Sequence, residues 1–132
     1  MIARPHRFHG FNALRHVYAR GQTVRSPLVA VKFTANPKRD SYRAAVVVSR
    51  KVHKSAVVRN RIRRRIYEIV RHQEEYIVGS QDIVITVFSE QAATLESPKL
   101  EKQIVELLQR ANIVTNSPKI TRAIVEQKDV TG

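Results

Sequence analysis

Between Arg59 and Arg65 the chain carries five arginines in seven residues, and the same stretch keeps an apolar stripe. The combination leaves few structures open. Val58, Ile62, Ile66 and Ile69 recur at spacings of four, four and three, so they fall on one side of an α-helix. Asn60, Arg64 and Arg71 then point roughly the opposite way, with Arg61 and Arg63 on the flanks. Such a helix docks on a core and holds a rigid rack of guanidinium groups in water. Guanidinium offers planar forked donors that fit phosphate oxygens two at a time. Cations this close repel one another, and a polyanion relieves the repulsion. Nucleic acid is the expected partner.

The charge balance agrees. The 132 residues carry 24 Lys and Arg against 11 Asp and Glu, a net +13. Residues 1–71 hold 18 basic and 2 acidic side chains, and residues 72–132 hold 6 and 9, so the halves are +16 and −3. A polarised basic half is the footprint of nucleic-acid binding, with an anionic membrane surface as the weaker alternative. Cysteine is absent, which removes disulfides, thiolate metal sites and cysteine nucleophiles and fits a reducing compartment. No stretch has the length of a signal peptide's apolar region or of a membrane span, so a cytoplasmic protein with no membrane partner is expected. The length suits one domain.

The rest of the chain reads as short elements. Residues 11–20 space Phe11, Leu14, Val17 and Tyr18 for one face of a short helix, with Gly21 as its stop. Residues 28–34 and 42–49 alternate as strands. The turn residues between them predict an antiparallel hairpin. Ser55 is placed to cap the arginine helix, which is expected to run to about Tyr76 and to break at Gly79-Ser80. Residues 82–88 are apolar on both faces, as a central strand requires. Ser97 and Pro98 start a last helix, as cap and first position, with Leu100, Ile104, Leu107, Leu108 and Ala111 on its inner face. The order is α-β-β-α-β-α: a single small α+β domain over residues 1–111, with helices on one side of the sheet and residues 112–132 as a flexible tail.

The stretch SRKVHKSAVVRNRIRRRIYE resembles the signature of the bacterial ribonuclease P protein family. That signature is a basic loop after a strand, then an Arg-Asn-Arg triplet, an apolar residue and further basic residues. Here the triplet is Arg59-Asn60-Arg61, followed by Ile62, Arg63 and Arg64. Arg7-Phe8 and the Val17-Tyr18-x-x-Gly21 spacing are similar to the family's opening helix. The resemblance spans roughly residues 7–111 and implies a mixed sheet with a left-handed β-α-β crossover.

It also implies a division of labour. A large catalytic RNA uses magnesium to remove the 5′ leader of precursor tRNA. The protein binds that RNA and holds the leader in a cleft between the sheet and the first helix. Carried over onto this chain, the RNA-facing residues are Lys51, Lys54, Arg59, Asn60, Arg61, Arg63, Arg64 and Arg65. The cleft residues are Leu14, Tyr18, Lys32 and Ser49. No catalytic residue and no obligate protein partner is implied. Three positions depart from the family: Leu14 stands where phenylalanine is usual, Tyr67 where a basic residue is often found, and Val52-His53-Lys54 where glycine is common.

Other readings compete. A solvated helix face mixes signs, whereas the first turns here carry only Glu68 against the arginines. Phe33 shares a strand face with Val29 and Val31, which suits core packing, and Lys32 on the other face suits a cleft or plain solvent. His6, His9 and His16 lack carboxylate or thiolate company for a metal site. The acidic residues show no pairing suited to acid–base hydrolysis. A structural RNA-binding protein of the ribosome is the alternative. A helix-turn-helix DNA regulator is disfavoured, because the arginine helix follows a strand and loop.

Overall fold

The computed structural model of the chain describes His6, Phe8 and residues 11–115. In chain order the elements are α1 (Phe11–Arg20), β1 (Gln22–Arg25), β2 (Val29–Ala35), β3 (Arg43–Val47), α2 (Ala56–Gln73), β4 (Gln81–Val87) and α3 (Ser97–Arg110), with short 3-10 turns at Glu74–Tyr76 and Glu90–Ala93. The domain is the expected α+β type. The four strands form one mixed sheet in the order β1-β2-β4-β3. β1 pairs antiparallel with β2, β2 antiparallel with β4, and β3 parallel with β4.

This order overturns the expected β2–β3 hairpin. The two strands are not neighbours, because β4 lies between them. The physical reason is burial. Asp82, Ile83, Val84, Ile85 and Val87 are all buried, so β4 needs a partner on each edge and cover on each face. The connection after β2 crosses the start of β4 instead of turning back. Asn36 fixes that crossing: its N–H donates to the Ser80 carbonyl at 2.8 Å, and its amide donates to Asp82 at 2.9 Å. Arg43 at the start of β3 closes on the same carboxylate with two bonds of 2.9 and 2.8 Å.

The helices also divide differently from expectation. Val29, Val31 and Phe33 of β2, Ile83, Ile85 and Val87 of β4, and Ala44 and Val46 of β3 join one core with Ile62, Ile66, Ile69 and Val70 of α2 and Leu100, Ile104, Leu107 and Leu108 of α3. Helix α1 packs on the opposite face. Its Val17 is fully buried, yet Val17, Ala30 and Val84 stand outside that core. Gly21 makes the close approach possible: a Cβ there would sit 2.5 Å from the Val17 carbonyl oxygen and 3.0 Å from that of Phe33. The sheet is therefore covered by α2 and α3 on one side and by α1 on part of the other.

Ser55 caps α2 as expected, its hydroxyl accepting from the Val58 N–H at 3.4 Å. The helix ends at Gln73, and the 3-10 turn carries the chain to Tyr76. Helix α3 starts one residue earlier than predicted, with Glu96 at the cap and Ser97 already helical. Its end contradicts the expectation that the tail starts at residue 112. Asn112 adopts a left-handed conformation, φ 57°, and the N–H groups of Asn112 and Ile113 return to the carbonyls of Gln109 and Leu108 at 2.9 Å each. This is a Schellman termination with Asn in place of glycine. It turns Ile113 and Val114 into the core, where they are 0% and 2% exposed. Val114 then bridges Ile77. The expected tail from residue 116 onward lies outside the described residues.

Candidate nucleic-acid interface

The arginines of α2 fall into two groups that the sequence does not announce. Arg61 and Arg64 are exposed and Arg63 is half-buried. Asn60 is exposed too, and its side-chain oxygen accepts from Arg63. These four form the outward rack. Arg59 and Arg65 lean inward from either side of the apolar stripe. One terminal nitrogen of Arg59 donates to the carbonyls of His53 and Lys54, both at 2.9 Å. Arg65 donates to the Ala92 carbonyl at 2.8 Å and to that of Leu95. Burial and the neighbouring Arg61 charge both lower the proton affinity of the Arg65 guanidinium. Arg59 thus fastens the basic loop to the helix, and Arg65 fastens the 90–95 turn.

The single acid of α2 does not neutralise the rack. Glu68 accepts from Arg71 at 3.0 and 3.2 Å, the largest of the causes that lower its carboxyl to about 2. The loop before α2 presents Lys51 and Lys54 as exposed side chains, and Arg59 sets the path of the backbone at Lys54. Tyr67, where the family often has a base, is buried. Its hydroxyl accepts from the Val46 N–H at 3.1 Å, satisfying a donor on the edge strand β3.

On the α1 face of the sheet, two of the four expected cleft residues come together. The Lys32 ammonium stands 5.6 Å from the centre of the Tyr18 ring, and Tyr18 is 45% exposed. Leu14, one helical turn back, is half-buried. Ser49 is exposed just past the end of β3, and no described contact joins it to the other three. Phe33 packs in the core.

Near the same face, Arg43 lies 4.8 Å from the Phe8 ring centre while bound to Asp82. Sequence reasoning missed this Arg43–Asp82–Asn36 network, although a charged residue opening an otherwise apolar strand was the available signal. Among the described residues His6 and His16 join no metal-binding cluster. His6 stacks on Tyr42 at 4.2 Å, His16 is exposed, and His9 and Arg7 lie outside the described residues. Among the described residues no three His, Asp or Glu side chains gather to hold a metal ion. Nor is any described helix long and apolar enough to cross a membrane.

A family model described as Ribonuclease P matches residues 2–112. A protein named ribonuclease P protein component from Roseiflexus castenholzii is 35% identical over 94 residues, covering 71% of this chain and 75% of that protein. One from a Cyanothece species is 30% identical over 129 residues, covering 86% and 98%. Among solved structures, the Staphylococcus aureus RNase P protein superposes with a TM-score of 0.75 at 23% identity, over 83% of this chain and 98% of that one. The Thermotoga maritima RNase P protein gives 0.66 at 24%, over 74% and 89%. The structural likenesses establish a shared fold, with three helices on a four-stranded mixed sheet. With a family match over nearly the whole described domain, the chain belongs to the ribonuclease P protein family.

Proposed function

We propose that this chain is the protein subunit of a bacterial ribonuclease P ribonucleoprotein, acting in the cytoplasm on precursor tRNA. The observation that carries the reading is the split on α2. Arg61, Arg63, Arg64 and Asn60 are turned outward, and the acid on the helix is taken up by Arg71. An outward rack of one sign, continuous with Lys51 and Lys54, suits the phosphates of a folded RNA. Arg59 and Arg65 act differently, shaping the loop and the turn beside the rack.

The Tyr18–Lys32 pair suits a single strand. A ring half open to solvent takes a base, and an ammonium beside it takes a phosphate. That strand is the 5′ leader. In this reading magnesium acts on the catalytic RNA, where its charge meets the phosphates of the substrate. The protein contributes charge neutralisation, leader capture and, through both, support of magnesium-dependent endonucleolytic 5′ maturation. The test is affinity for tRNA with and without a leader, measured on the protein assembled with a bacterial ribonuclease P RNA. A preference for the leadered form that is absent in the RNA alone supports the reading. Equal affinities, or no assembly, overturn it.

A further inference from the structure

Another aromatic–cation pair stands on the α1 face of the sheet. Phe88 follows the last residue of β4, is 47% exposed and takes no part in the core. Its backbone is fixed, the N–H donating to the Leu28 carbonyl at 2.9 Å. The Arg25 guanidinium lies 5.6 Å from the ring centre. Arg25 alternates away from Val24, which packs on the core, and so shares a face with Lys32. Lys32 pairs with Val84, and Phe88 is four residues further along β4, about 13 Å at the rise of a strand.

The surroundings are cationic. The β3–β4 ladder ends at Val47 and Thr86, and Ser49 and Phe88 each lie two residues beyond it on parallel strands. They therefore leave the sheet at the same end. Arg50 and Lys51 follow at once, both exposed. Phe88 is thus an aromatic held on rigid backbone, with Arg25 on one side and Ser49, Arg50 and Lys51 on the other.

We propose that Arg25 and Phe88 form a stacking step for a base of single-stranded RNA, where the leader passes beyond the Tyr18–Lys32 cleft. This rests on the leader-binding reading and extends it to a second position. The open ring takes the base, and Arg50 and Lys51 lie where the adjoining phosphates run. Stacking accepts any base, so the step reads the presence of a strand and its length more than its sequence.

The test uses the protein assembled with ribonuclease P RNA and precursor tRNAs whose leaders are shortened stepwise. Phe88→Leu keeps apolar bulk and removes the stack; Phe88→Trp keeps the stack. Thermal unfolding confirms that both fold. Phe88→Leu is expected to weaken binding of the longest leader about tenfold, within the range for one stacked base. The loss should vanish as the leader is shortened and on mature tRNA, and Phe88→Trp should bind as wild type. The salt dependence should not change, because no phosphate contact is removed. Wild-type binding of long leaders by Phe88→Leu overturns the proposal. So does an equal loss on mature tRNA or on assembly with the catalytic RNA. Tyr18→Ala measured alongside separates the two claims. If it selectively weakens leadered tRNA while Phe88→Leu does nothing, only the second step is refuted. If neither variant distinguishes leadered from mature tRNA, the leader reading falls with it.

Discussion

Replacing Arg65 with alanine should unfold the domain more easily and leave the RNA contact largely alone. The side chain donates two bonds to backbone carbonyls, at Ala92 and Leu95. Hydrogen bonds from a charged group contribute roughly 1.5–3 kcal/mol each. Arg65 is only half-buried, so water replaces part of the loss, and its removal relieves the repulsion from Arg61. Both effects pull the total toward the lower end, about 2 kcal/mol. For a domain of this size that lowers the melting temperature by about 8 °C. Arg61→Ala is the contrast. Arg61 is exposed and accepts no structural duty among the described bonds, so the melting temperature should hardly move. Its loss should instead flatten the salt dependence of binding to the catalytic RNA by about 0.7–0.9 in slope. Thermal unfolding by circular dichroism and a salt titration of binding on both variants decide the matter. If Arg65→Ala melts like wild type and flattens the salt slope as Arg61→Ala does, the division of the arginines is wrong.

Three further expectations follow from the same geometry. Tyr18→Ala and Lys32→Ala should weaken binding to precursor tRNA, by roughly 1–3 kcal/mol for the lost stack, and leave mature tRNA untouched; equal losses on both RNAs would displace the cleft. Gly21→Ala puts a methyl 2.5 Å from the Val17 carbonyl oxygen, so the α1–β2 junction must shift, at about 1–3 kcal/mol of stability. Melting temperature and leader affinity should fall together, and an unchanged melting temperature would mean that the junction yields freely. Tyr67→Phe deprives the Val46 N–H of its acceptor, costing about 1–2 kcal/mol, and hydrogen exchange at Val46 should quicken.

Much of this fold was legible where burial imposes a period. The stripe of α2 is strongly patterned, and Ile62 and Ile66 are indeed fully buried. The two-faced apolarity of β4 announced a central strand. What escaped lacked a local signal. β1 is four residues, Gln-Thr-Val-Arg, with only Val24 partly buried, and it exists because the outer edge of β2 offers a ladder. The order of strands escaped because a short link constrains distance and not adjacency; Asn36 and Arg43, meeting on Asp82, decide it from 46 and 39 residues away in sequence. The close of α3 depended on Asn112 taking a conformation usual for glycine.

The site was partly legible. That the arginine helix is an interface followed from charge, whereas the roles of single arginines depend on angle. At 3.6 residues per turn, Arg59 and Arg65 stand about 60° either side of Ile62, Arg61 and Arg63 about 100°, and Arg64 nearly opposite. The pair nearest the stripe are the two that bind backbone carbonyls. That wheel was available in the sequence, but the carbonyls that draw Arg65 inward lie 27 and 30 residues further on. The Phe88–Arg25 pair depends on β1 and β4 flanking β2, and so could not be seen before the sheet order was known.

The most direct test of the central claim is 5′ processing of a precursor tRNA by a bacterial ribonuclease P RNA, at a magnesium concentration too low for that RNA to act alone. Purified protein by itself should cleave nothing. Protein and RNA together should release the leader at one site, with the rate rising as the protein saturates the RNA. Cleavage by the protein without RNA, or an RNA rate unaffected by the protein, would contradict the account.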